Sequence, residues 1–130
     1  MSTLCTRLKN VKEAGAYQLN CSMDELHEAV EEAGFAVFDA DLSGACGKGE
    51  FLAALAQAIK APDWFGHNFD ALADALGDLS WCSAAGYVLL LRNSDHALEQ
   101  IDDHRVATEI FAGAAAFWRS QGKAFWVFFC

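Results

Sequence analysis

Asp70, Asp74 and Asp78 stand four residues apart. On a helix that spacing puts side chains on one face, so residues 69–79 are read as carrying a stripe of carboxylates. Phe69, Leu72, Ala75, Leu76 and Leu79 recur at helical spacing and claim another face, which leaves the stripe to solvent. Asn68 comes immediately before, and Asn is a good N-cap because its side-chain oxygen takes an orphan helix N–H. Asp70 then falls in the first turn, where the helix dipole favours a carboxylate. Trp64, Phe65, Gly66 and His67 precede the cap, with Gly66 supplying backbone freedom for a turn.

Three chemistries compete for these residues. Exposed carboxylates on a stiff helix can meet a cationic surface without much ordering cost. With His67 three residues before Asp70, the same groups could hold a hard metal or act as an acid/base set. The plainest reading is a solvated acidic face. No Gly-rich phosphate loop and no second ligand cluster accompanies them, so no metal and no cofactor is expected. His27, His96 and His104 are scattered, and no Ser/His/Asp or Cys/His signature is readable. Asp102 and Asp103 before His104 read as acids at the start of a helix. A small metal-dependent hydrolase is thus the least favoured function, and the expectation is a protein without catalysis of its own.

Composition narrows the partners. The 130 residues carry 9 Lys+Arg against 18 Asp+Glu, a net charge of −9. Such a chain lacks the positive surface needed to bind nucleic acid or anionic lipid, and its electrostatic partner should be basic. Hydrophobic residues make up 54% of the chain, with 10 Phe and 4 Trp. That is ample for a core and argues against disorder. No stretch reaches the length of a bilayer span, and residues 1–10 carry no apolar core of a secretory leader. The five cysteines are widely spaced without a CxxC pair, which points to reduced thiols and a cytoplasmic setting rather than a disulfide framework.

The elements that must position the acidic helix follow from periodicity. Short strands are expected at 16–19, 35–39, 87–91 and 124–129. Helices are expected from Ser22 to the stop at Gly34, from Glu50 to Pro62, after Asn68, and over 106–121 before Gly122. Ser94 is read as the cap of a short helical piece. Strands separated by helices imply right-handed crossovers and a parallel sheet. In 124–129, alternation sends Phe125, Val127 and Phe129 to one face and Trp126 and Phe128 to the other. Both faces are apolar, so one must be covered by the N-terminal segment, a partner or another copy of the chain. Self-association is possible on this ground but not predicted. Phe117 and Trp118 are read as core.

The segment Pro62, Asp63, Trp64, Phe65, Gly66, His67, Asn68, Phe69, Asp70, Ala71, Leu72, then Asp74 and later Trp81, resembles the barstar family of intracellular ribonuclease inhibitors. Weaker similarity extends over 35–44, 49–61, 87–91 and 123–129. The resemblance implies an α/β fold with a small parallel sheet of three strands, possibly one more from the N-terminus, packed with helices. It divides the chain into an extension, 1–34, and a barstar-like domain, 35–130. It implies an inhibitor that occludes the active site of a basic, extracellular-type ribonuclease, as an immunity-type protein would. Asp70 and Asp74 would stand in for substrate phosphates, with Trp64, Phe65, Gly66, His67, Asn68, Ala73 and Trp81 completing the contact. Ala73 replaces an aromatic that the family carries between the two aspartates, and 117–121 lacks the acids found there. Those departures motivate an alternative, a barstar-fold binding or regulatory domain with a different basic protein partner.

Overall fold

The computed structural model describes residues 3–19, 22–44, 47–61, 68–94 and 104–130. Its sheet has four strands: β1 (Ala16–Gln18), β2 (Ala36–Asp41), β3 (Gly86–Arg92) and β4 (Ala124–Phe129). All are parallel, in the order β1-β4-β3-β2. The helices are α1 (Thr3–Leu8), α2 (Met23–Ala33), α3 (Lys48–Ala58), α4 (Phe69–Leu76) and α5 (His104–Ser120), with a 3-10 turn at Val11–Glu13. The expected parallel α/β architecture is present, and the N-terminal segment adds the fourth strand at the sheet edge.

Handedness explains which helix covers which face. The chain moves from β2 to β3 to β4 in one direction across the sheet, so right-handed crossovers put α3, α4 and α5 on the same face. From β1 to β2 it travels the opposite way, past β4 and β3. The same rule then sends α2 to the other face. Pleating divides the side chains to match. Tyr87, Leu89, Leu91, Phe125 and Val127 join the cluster beneath α3, α4 and α5. Val88, Leu90, Ala124, Trp126 and Phe128 join Leu8, Ala14, Leu26, Ala29 and Val30 on the opposite side. The apolar surplus that left self-association open is therefore covered by the chain's own first 33 residues.

Polar tips fix this second layer. Trp126 Nε1–H donates to the Leu8 carbonyl (2.9 Å), and Arg119 donates to the Ala14 carbonyl (2.5 Å). The helix ends obey their local signals. Ser22 Oγ accepts from the Glu25 N–H (3.1 Å), and Gly34 closes α2 with φ 73°. Gly122 follows α5 with φ 78°.

Several expected boundaries shift. The first helix and the 3-10 turn were not anticipated, because six-residue Thr3–Leu8 offers little more than Leu4 and Leu8 as a helical pair. β2 runs to Asp41 rather than 39, since Ala40 and Asp41 still pair with Leu91 and Arg92. Arg92 Nε also bridges to Asp39 (2.6 Å) and Asn93 donates to Asp41 (3.0 Å). α3 begins at Lys48, because the Phe51 N–H already bonds to the Gly47 carbonyl (2.9 Å). Phe117, read as core, is 43% exposed. The inward phase of α5 is set by Ala107, Phe111, Ala114, Ala115 and Trp118, and Phe117 lies about 100° off it. The helical piece expected after Ser94 lies outside the described residues.

Candidate functional site

α4 is eight residues long, so its persistence depends on its ends and its packing. Asn68 has extended backbone, and its Oδ1 accepts from the Ala71 N–H (2.8 Å). The Leu72 N–H closes the first turn on the Asn68 carbonyl (3.1 Å). Phe69, Leu72, Ala75 and Leu76 are buried, facing chiefly α5 and to a lesser degree α3. Lys48 sits over the Phe69 ring with Nζ 4.7 Å from its centroid, a cation–π contact that ties the start of α3 to the start of α4.

The far end is held by an indole. Trp118 Nε1–H donates to the Leu76 carbonyl (2.7 Å), one of the helix's last acceptors without an intrahelical partner. Gly77 and Leu79 N–H groups bond back to Ala73 and Ala75, and Leu79 adopts φ 49°. That left-handed residue turns the chain away three residues beyond the helix end at Leu76. Trp81, in the turn beyond, is half-buried and donates its indole N–H to the Ile59 carbonyl (2.8 Å) at the end of α3. Tyr87, beneath this turn, donates its hydroxyl to the Cys82 carbonyl (2.8 Å). Burial pushes the Tyr87 phenol above its ordinary value.

The face turned away from this scaffold carries Asn68, Asp70, Ala73 and Asp74, all exposed. The two aspartates are one turn apart on that face, and neither forms an ion pair with a described residue. The small Ala73 between them leaves the carboxylates standing clear. Asp78 is not part of the stripe. It lies in the turn after α4, where its carboxylate accepts from Ser80 Oγ (3.1 Å); the helix stops two residues too early to carry it. Trp64, Phe65, Gly66 and His67 lie outside the described residues, so α4 brings together Asn68, Asp70, Ala73 and Asp74, with Trp81 nearby as a half-buried anchor. Among the described residues no three His, Cys, Asp or Glu side chains gather as a metal site.

What sequence reasoning passed over is the neighbour of α4. Val106 and Phe117 are 39% and 43% exposed on α5. The signal was available in the phase of α5, since Trp118 and Phe117 cannot both point inward.

Fold and site together define a three-layer parallel α/β protein that holds an acidic helix face outward on a rigid support. A family model described as Barstar (barnase inhibitor) matches residues 35–130. The chain belongs to the barstar family. No curated protein matches it.

Proposed function

We propose that this protein inhibits a basic ribonuclease by laying the Asp70/Asp74 face of α4 into the enzyme's active-site groove. A groove that holds RNA is lined with closely spaced cations, and two carboxylates on a preorganised helix can replace the phosphates there by charge-assisted hydrogen bonds. The observation that carries the reading is the pair of exposed aspartates, in no ion pair with a described residue, on a helix fixed at both ends, in a family described as barnase inhibitors. On this reading the protein acts by occlusion rather than turnover and needs neither metal nor cofactor. Trp64, Phe65, Gly66, His67 and Trp81 would pack around the charged pair. The net charge of −9 speeds encounter with a basic partner and makes it salt-sensitive. A cytoplasmic site of action is part of the proposal, on the five widely spaced cysteines without a CxxC pair.

Inhibition of barnase by the purified protein tests this. Excess protein should stop RNA cleavage at low salt and less effectively at high salt. Asp70→Ala and Asp74→Ala should each weaken inhibition at least roughly tenfold, as expected for losing a hydrogen bond to a charged group. Asp41→Ala, at the end of β2 and outside α4, should not. Undiminished inhibition by the double alanine removes the proposed site. The exposed Phe117 favours a second reading, in which the same face serves a different basic protein.

A further inference from the structure

We propose that α4 and α5 form a two-part docking surface, carboxylates beside an apolar ridge, that fits a basic protein partner bringing apolar side chains together with its cations. The inference rests on the reading of Asp70 and Asp74 as partner-binding groups and names the chemistry of the partner they meet.

The ridge is a consequence of helical phase. Val106, Ile110, Gly113 and Phe117 follow one another at spacings of four, three and four, which is one line along a helix. Val106 and Phe117 are 39% and 43% exposed and Ile110 is half-buried. The line runs on the side of α5 turned away from β1. Arg119, two residues and so roughly 200° from Phe117, reaches the other way to the Ala14 carbonyl beside β1. The Phe117 ring stands edge-on to Trp118 with centroids 5.3 Å apart, and Trp118 itself grips Leu76 at the end of α4. The ridge and the carboxylates are therefore neighbours in one layer. The N-terminal helices are spent on the opposite face of the sheet, so among the described residues the chain offers nothing to cover the ridge.

Charge selects the occupant. A second copy docked through this face would set its own Asp70 and Asp74 against these, between two chains each at −9. An anionic membrane meets the same repulsion. A basic protein gains from both halves of the surface, with its cations on α4 and apolar side chains on Phe117 and Val106.

Two short peptides of equal positive charge test this, one alternating Arg with Leu and the other Arg with Ser. The full chain should bind the Arg/Leu peptide roughly fivefold more tightly. Phe117→Ser should bring the two affinities to within about twofold, while Phe117→Leu should keep the preference. Asp70→Asn with Asp74→Asn should weaken both peptides alike. Phe117 is exposed, so its variants should melt with the parent. Equal binding of the two peptides, no binding of either, a preference untouched by Phe117→Ser, or a dimer that Phe117→Ser dissolves would each overturn the proposal. Retained peptide preference without barnase inhibition would overturn the ribonuclease reading alone. Retained inhibition without peptide preference would overturn this proposal and leave the ribonuclease reading standing.

Discussion

Removing residues 1–34 is the most searching perturbation, because the family match begins at 35 while the sheet's second face is covered by what comes before. In the intact chain Val88 and Leu90 are 0% exposed, Trp126 4% and Phe128 7%. Full exposure of four large apolar side chains forfeits about 6–12 kcal/mol at about 1.5–3 kcal/mol each. Exposure of half their surface forfeits about 3–6 kcal/mol on the same basis. A domain of ordinary stability has only about 5–15 kcal/mol. The truncated chain also loses the β1 pairing along β4, including the Ala16–Val127 register, and the Trp126 and Arg119 hydrogen bonds to the N-terminal backbone. The shortened chain should therefore unfold at far lower urea or associate through its bare face. Urea titration followed by near-UV circular dichroism, with light scattering for mass, reads both outcomes. Within the full chain, Leu26→Ala should cost about 2–5 kcal/mol with an unchanged urea slope. A truncated protein that stayed monomeric with the parent's midpoint would refute the assignment of the first 34 residues to the core.

The other predictions concern the support of α4 and the acid limb of stability. Trp118→Phe keeps an aromatic ring but shrinks it and orphans the Leu76 carbonyl; it should cost at least about 1–3 kcal/mol and quicken amide exchange in α4. Asn68→Ala removes the N-cap and should cost about 1 kcal/mol, read from the urea midpoint. The Asp41 carboxyl is held below its ordinary value of 3.8, first by the Ser43 N–H and then by the Asn93 side chain. A lowered folded value means that its contribution is present above 3.8 and lost as pH falls through the lower value. Asn93→Gly, which suits the backbone there at φ 60°, should move the Asp41 titration back upward in an NMR pH series.

Much of the fold was legible because its signals are local. Alternation in 124–129 assigned Phe125 and Val127 to one face and Trp126 and Phe128 to the other, and the two core clusters divide the same way. Ser22, Gly34, Asn68 and Gly122 marked helix ends by backbone chemistry that needs no distant partner. The acidic pair was legible too, since positions four apart share a face whatever surrounds the helix. Asp78 was misplaced because the helix stops at Leu76, where Trp118 takes the last carbonyl and the chain goes on to the left-handed Leu79, both set by packing. The contact of Trp81 with Ile59 crosses 22 residues of chain and leaves no local trace.

By itself, then, the sequence determined the order of strands and main helices from residue 16 onward, the parallel sheet, and a capped helix with Asp70 and Asp74 on its outer side. Each follows from periodicity or from the conformational habits of single residues. Only the tertiary structure decided that residues 1–34 close the second face, that Phe117 stands in solvent, and that α4 is gripped through Leu76. Those outcomes depend on which distant surfaces meet, and the direction of each crossover, rather than any local pattern, selects the face on which they do.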